Sequence, residues 1–381
     1  FQLLGVPSGE IQLVVQKGQF RRVRRLHVED GVSQTVADEL TELPVRSDAA
    51  LGDTVPTVVI GSGRFDAVEN IFAKLRMAPI TSLFGFDYET YLADPDAWPV
   101  RLLRYQEPRE LDDDGNDATT LSTPSFLDFL SNGDAMMDAS IVMAPCASYL
   151  DYNTLLTSPA VRENIRNYVN DGGKLYASDY AYMVVEQVFP RYIDFAAWNP
   201  ALDLPHNLQG QFTGDGNADG HEGELAFMSK AIDNTRRYDA QNKALEPNLA
   251  NWLRATGIST DGTFPTVGNW VNLRATGADT QCCDASGPVE VAAEAVSTGP
   301  NYVERFIGDS GASHTSWEAA EAEGANRPHT VRFPYGCGKV MYSTYHTVES
   351  SSPSAVLEPQ ELVLLFMILD INECNLNPIK D

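Results

Sequence analysis

The stretch from Asn170 to Tyr182 constrains the fold more than any other part of the chain. The pair Gly172-Gly173 suits the end of a helix, and a short apolar strand begins at Lys174. The strand stops at Ser178-Asp179, where a second helical pattern begins. A strand that turns directly into a helix exposes its last residues at the carboxyl edge of an open α/β sheet, where ligands and nucleophiles lie. The stretch therefore predicts an α/β elbow at a crevice.

Other segments repeat this alternation of strand and helix. Apolar strands are predicted at 55–60 and 140–144, and helical patterns follow them. This pattern is typical of a mostly parallel sheet with helices on both faces. We expect an N-terminal β segment (1–50), an α/β core (51–200), an insertion with short strands and an acidic loop (201–325), and final core strands with a buried C-terminal helix (326–381).

Three motifs carry a resemblance to a known family: the elbow GGKLYASD, a strand that ends in Pro145-Cys146, and the late strand GKVMYSTYH. Together they resemble the class I glutamine amidotransferase-like fold, a flavodoxin-like α/β fold, and in particular its catalytically degenerate bacterial surface members. In active members of this family the elbow carries a cysteine nucleophile and a late strand supplies His-x-Glu. Here the elbow offers Ser178 or Asp179, and the spacing from His346 to Glu349 is one residue too long. The resemblance thus implies the fold and argues against the family's amide hydrolysis.

The polar residues of this crevice have two interpretations. In one, Ser178 or Cys146 is a nucleophile, His346 is its base and Glu349 orients the base. In the other, Ser178 and Asp179 cap the following helix while Cys146 and His346 are structural. Because the family's motif positions are lost, we expect the structural interpretation.

An acidic run in the insertion predicts a calcium loop. Oxygen-bearing side chains at alternate positions, with glycine at the sixth position, suit a hard cation. The predicted ligands are Asp215, Asn217, Asp219, Glu222 and Glu224. A weaker copy of the pattern contains Asp112, Asp114 and Asn116. A solvated acidic turn is the alternative at both places.

The charge balance limits the partners. Lys and Arg number 27 against 53 Asp and Glu, which gives a net charge of -26. Such a chain repels nucleic acid and anionic membranes. The longest apolar run, 362–369, is too short to span a bilayer. Because the sequence starts at Phe1, we expect a processed protein that is secreted or at the cell surface. The five cysteines leave the disulfide pairing open.

These observations favour a non-catalytic binding or assembly protein, such as a subunit of an extracellular structure. Its partners would be proteins or further copies of the chain, and calcium would be its only cofactor. A hydrolase that uses the crevice residues is the first alternative. The second is a carbohydrate-binding surface made by exposed Trp252, Trp270 and Trp317.

Overall fold

The structure is a computed structural model that describes residues 2–62, 66–104, 124–146, 156, 158–189, 192–196, 238–269, 272–276, 289–298, 328–346 and 356–369. Its strands are β1 (Gly9–Lys17), β2 (Phe20–Val28), β3 (Val58–Gly61), β4 (Val100–Leu103), β5 (Ile141–Ala144), β6 (Lys174–Ser178), β7 (Ile193–Ala196), β8 (Tyr238–Ala244), β9 (Thr263–Asn269), β10 (Asn272–Thr276), β11 (Glu290–Thr298), β12 (Pro328–Tyr335) and β13 (Gly338–Ser343). Its helices are α1 (Asp38–Thr41), α2 (Glu69–Lys74), α3 (Tyr88–Ala93), α4 (Phe126–Leu130), α5 (Gly133–Met137), α6 (Pro159–Asn170), α7 (Tyr182–Val188), α8 (Pro247–Ala255) and α9 (Pro359–Leu369).

A nine-stranded sheet in the order β4-β3-β5-β6-β13-β12-β11-β8-β9 forms the centre of the molecule. Its first five strands are parallel, and each of the remaining four joins the sheet antiparallel. Numbered along the chain, the parallel half has the order 2-1-3-4-5, which is the flavodoxin-like order. The predicted α/β class is confirmed, but the sheet is mixed, so the prediction of a mostly parallel sheet describes only one half of it.

Helices cover the two faces of the sheet because alternate strand residues point to opposite sides. Val59 and Leu175 face one apolar cluster, which α4, α5, α6 and α7 complete. Ile60 and Tyr176 face the other cluster, which α2, α8 and α9 complete. The predicted C-terminal helix is α9, and it is buried from Gln360 to Leu369. No helix within the described ranges is long and apolar enough to cross a membrane.

Parts of the predicted insertion extend the sheet. Strands β8, β9 and β11 continue it beyond β12 by antiparallel pairing. Two of the short strands expected in the insertion are β9 and β10, and β10 pairs with β7 in a separate small sheet. Non-local antiparallel pairing leaves no periodic signal in a sequence rich in Gly, Asn and Thr, which is why these strands were predicted incompletely.

The elbow forms as its sequence predicts. Helix α6 begins at Pro159, where proline fits the first turn, and ends at Asn170. Gly172 then adopts a φ of 114°, a left-handed conformation that glycine takes without penalty. Strand β6 follows and lies between β5 and β13. The glycine pair therefore delivers β6 into the middle of the parallel half.

The N-terminal β segment is a hairpin of β1 and β2 that Asp53 ties to the rest of the chain. The Asp53 carboxylate accepts hydrogen bonds from Arg24 at 2.6 and 2.7 Å and from Arg22 at 3.2 and 3.3 Å. These arginines, Arg24 above all, hold the pKa of Asp53 below its usual range. Two arginines of β2 therefore make an internal salt bridge with Asp53.

Replacing Asp53 by asparagine is expected to lower the free energy of unfolding by about 1–3 kcal/mol, because charge-assisted hydrogen bonds are lost. Because the pKa of Asp53 is lower in the folded state, the ionised carboxylate stabilises the fold at pH values above its unfolded-state pKa of about 3.9. This stabilisation is lost as the pH falls through the lower folded-state pKa. Urea unfolding of wild type and variant from pH 7 to pH 3 should therefore show a gap that narrows below about pH 4. Asp30→Asn, an exposed change at the end of the same hairpin, is the control. Equal effects of the two substitutions would contradict the assignment.

Candidate functional site

The carboxyl ends of four parallel strands bring together polar residues from distant parts of the chain. The strands β3, β5, β6 and β13 are neighbours in the sheet and point the same way. The polar residues that follow them, in strand order, are Asp66, Cys146, Asp179 and His346. These strand ends include those of β3 and β5, the switch point at which ligands bind in sheets of this strand order.

Asp179 has a strained backbone at the elbow. Its φ is 45°, in the left-handed region that costs a residue with a β-carbon about 1–2 kcal/mol. Its carbonyl accepts a hydrogen bond of 3.0 Å from the Tyr342 hydroxyl on β13. A short 3₁₀ turn, Asp179–Ala181, then leads into α7. A strained residue directly after a strand and before a helix occupies the elbow position, so this position belongs to Asp179 rather than Ser178.

Asp179 contacts His346 across the junction of β6 and β13. The Nε2 atom of His346 lies 2.8 Å from Oδ2 of Asp179. The Gln360 side chain of α9 donates a hydrogen bond to the His346 carbonyl. The imidazole therefore lies against a carboxylate, and its main chain is fixed by a helix on one face of the sheet.

Cys146 completes a cluster of three side chains. Its thiol is not part of a disulfide. One donor atom each of Cys146, Asp179 and His346 lies within 4.8 Å of the other two. The three residues are 0%, 0% and 5% exposed. A thiol, an imidazole and a carboxylate are thus gathered in a water-poor place from the ends of three strands.

Ser178 belongs to a second contact beside this cluster. Its hydroxyl donates to Oδ2 of Asp66 at 2.7 Å and accepts from the Cys146 backbone N–H at 3.2 Å. The hydroxyl proton is thus directed at Asp66. Neither Ser178 nor Asp179 caps a helix through its side chain, in contrast to the structural interpretation, because α7 begins after Ala181 without a side-chain capping bond.

Tyrosine hydroxyls line the same edge of the sheet. The Tyr176 hydroxyl lies 2.8 Å from the Ser343 hydroxyl, and Tyr345 makes a similar contact of 2.7 Å with Thr330. Burial raises the pKa of Tyr176 well above its usual value, and the Asp66 charge raises it further. Burial also raises the pKa of Tyr345. Both phenols therefore stay protonated and serve as hydrogen-bonding groups.

Asp66 is the site residue that sequence reasoning missed. It lies in a segment without a recognisable motif, five residues beyond the end of β3 at Gly61. The rule that carboxyl ends of parallel strands face the crevice could have indicated it, because it is an acidic residue shortly after the first core strand.

Several predicted site residues lie outside the described ranges: Glu349, Asp215, Asn217, Asp219, Glu222, Glu224, Asp112, Asp114, Asn116, Trp270 and Trp317. Trp252 is described, and it is half-buried. Its indole N–H donates to the Leu362 carbonyl at 3.2 Å, and its ring lies 6.3 Å from that of Phe366. Trp252 therefore joins α8 to α9.

Comparisons with known proteins give distant similarities. No family model and no curated protein matches the chain. A ThuA-like protein from Parabacteroides merdae ATCC 43184 is 11% identical with a TM-score of 0.37, covering 81% of this chain and 86% of its own. A ThuA-like protein from Bacteroides uniformis ATCC 8492 is 11% identical with a TM-score of 0.33, covering 81% and 87%. A cytoplasmic protein from Salmonella typhimurium LT2 is 11% identical with a TM-score of 0.36, covering 95% of both chains. Similarity at this level identifies no function.

Proposed function

We propose that this protein is a hydrolase of small amides or esters in which Cys146 is the nucleophile, His346 the general base and Asp179 the group that orients the base. The observation that carries the proposal is the cluster itself, in which these three side chains meet within 4.8 Å. A nucleophile, a base and an orienting carboxylate are the parts that acyl transfer requires. Asp179 takes the role that Glu349 has in the sequence-based alternative.

The proposed reaction has two steps. His346 accepts the thiol proton while the Cys146 sulfur bonds to the acyl carbon, and the amine or alcohol leaves with the proton that the imidazole carries. In the second step, water gives a proton to His346 and attacks the thioester, which releases the acid and restores the thiol. The 2.8 Å contact with Asp179 supports this cycle because it stabilises the imidazolium that forms in each step.

The burial of the cluster restricts the substrate. Cys146 and Asp179 are both buried, so a large folded substrate has no direct approach to the sulfur. Small acyl compounds, or a narrow side-chain amide, are the class that fits. The low-dielectric surroundings strengthen the interaction between imidazole and carboxylate.

Hydrolysis of p-nitrophenyl acetate by the full chain tests the proposal. Cys146→Ala is expected to reduce turnover to the background rate, whereas Ser178→Ala should retain measurable turnover because its hydroxyl supports the Cys146 backbone without reacting. His27→Gln, a change at an exposed histidine of the hairpin, is the control for His346→Gln. Iodoacetamide labelling with peptide mass spectrometry measures whether a small electrophile reaches Cys146. Full turnover in Cys146→Ala would exclude the thiol mechanism.

We also propose that the fold is a catalytically altered version of the class I glutamine amidotransferase type and that the protein works outside the cytoplasm. The 2-1-3-4-5 strand order and the strained elbow residue support the first part. Participation of Cys337 in a disulfide supports the second, since disulfides persist in oxidising compartments. Calcium binding, self-association and carbohydrate binding stay predictions.

A further inference from the structure

We propose that Cys146, Asp179 and His346 bind a divalent transition metal of the Zn²⁺ class, and that the metal switches off the thiol. Their donor atoms are a sulfur, a carboxylate oxygen and an imidazole nitrogen, all mutually within 4.8 Å and all buried. Metal binding depends on this donor set alone. Only its consequence, inhibition, rests on the proposed function.

The geometry requires a small adjustment. A tetrahedral Zn²⁺ with bonds of about 2.0–2.3 Å holds its ligand atoms roughly 3.3–3.8 Å apart. The His346 Nε2 to Asp179 Oδ2 distance of 2.8 Å must therefore lengthen by about 0.5–1 Å. A rotation of either side chain about its own bonds would have to supply this movement.

The donor types select the metal. Thiolate and imidazole ligands suit zinc and its first-row neighbours, whereas calcium and magnesium take oxygen ligands. This site therefore differs in chemistry from the calcium loops that the sequence predicts elsewhere. Three protein ligands leave a fourth position for water, as in open zinc sites.

The main chain of each ligand residue is held in place. Tyr342 donates to the Asp179 carbonyl, and Gln360 donates to the His346 carbonyl. The Cys146 N–H is bound by Ser178. Such supporting contacts orient ligands before the metal arrives and reduce the cost of ordering them.

Metal binding would block the reaction of the thiol. A coordinated cysteine is a thiolate, so binding releases the thiol proton to solvent and places the sulfur electron pair on the metal. The sulfur is then unavailable to attack an acyl carbon or iodoacetamide. Removing the metal with a chelator restores the nucleophile.

Titration of the chelator-treated full chain with ZnCl₂, followed by calorimetry, tests the site. Wild type should bind one Zn²⁺ that is lost in Cys146→Ala, and His346→Gln should weaken binding by more than about 100-fold. The matched control His27→Gln should bind as wild type does. Equal affinity in wild type and Cys146→Ala would overturn the proposal.

A second measurement on wild type avoids variants that fail to fold. ZnCl₂ should slow iodoacetamide modification of the peptide that contains Cys146, and chelator should reverse the protection. Unchanged labelling with Zn²⁺ present would overturn the proposal. If the wild-type protein hydrolyses the ester through Cys146 but does not bind Zn²⁺, the metal-site proposal is wrong and the proposed function stands. If Zn²⁺ protects Cys146 from iodoacetamide but the protein does not hydrolyse the ester, the proposed function is wrong and the metal site stands.

Discussion

Glu361→Ala is expected to lower the free energy of unfolding by about 3–5 kcal/mol, because it leaves the Lys74 ammonium buried without its anion. Glu361 accepts hydrogen bonds of 2.7 and 2.8 Å from Lys74 Nζ, and the two side chains are 0% and 3% exposed. The contact joins α2 to α9, and its two residues are 287 positions apart in the chain. Urea unfolding followed by circular dichroism measures the loss.

The buried Lys74–Glu361 pair is expected to carry a desolvation penalty, although removing one partner alone destabilises the fold. Burial raises the pKa of Glu361 even though Lys74 opposes the shift, so desolvation outweighs the attraction. The double variant Lys74→Met with Glu361→Met should therefore recover most or all of the loss, as replacement of buried ion pairs by apolar residues often does. A double-mutant cycle gives the coupling energy. Glu10→Ala, which breaks the exposed pair with His27, should change stability little. A double variant no more stable than Glu361→Ala would contradict this account.

Four of the five parallel strands, β3, β5, β6 and β13, could be predicted because each carries its own signal, whereas β4 was not predicted. The apolar runs that end at Ala144 and Ser178 are short, continuous and followed by helical patterns, so local sequence suffices. In the antiparallel half the local signal is weaker. Strand β11, Glu290–Thr298, is recognisable only through its pairing with β12 and β8, and these pairings connect distant segments.

The residues of the site could be chosen from sequence, but their roles could not. Cys146 and His346 were selected from motifs that resemble a known family, whose fold brings the ends of these strands together at one edge of the sheet. Which elbow residue meets His346 depends on a single dihedral angle, the φ of 45° at Asp179. A one-residue difference in where the strand ends would reverse the roles of Ser178 and Asp179, and no composition or spacing records that angle.

Gly338→Ala is expected to destabilise the protein by about 3 kcal/mol or more, because a β-carbon there has no room. It would lie 2.0 Å from the Val169 carbonyl oxygen and 2.2 Å from the Gly173 carbonyl oxygen. Both obstacles are backbone atoms at the end of α6 and the start of β6, so a change of rotamer cannot relieve them. Gly85→Ala is the control, since its nearest neighbours would be 3.7 and 3.8 Å away. Thermal and urea unfolding of the two variants measure the difference, and similar stabilities would show that β13 can shift freely.

The same substitution is expected to disturb the cluster of Cys146, Asp179 and His346 beyond the far end of β13. The parallel ladder runs from Lys339 beside Lys174 to Ser343 beside Ser178, and it sets where His346 meets Asp179. A displacement at Gly338 must either break this ladder or be carried along it. Where Gly338→Ala protein remains folded at low temperature, Zn²⁺ affinity and the rate of Cys146 labelling should both change, whereas Gly85→Ala leaves them as in wild type. Because the ladder pairs β13 with the elbow strand residue by residue, the backbone contact of Gly338 also positions His346 against Asp179.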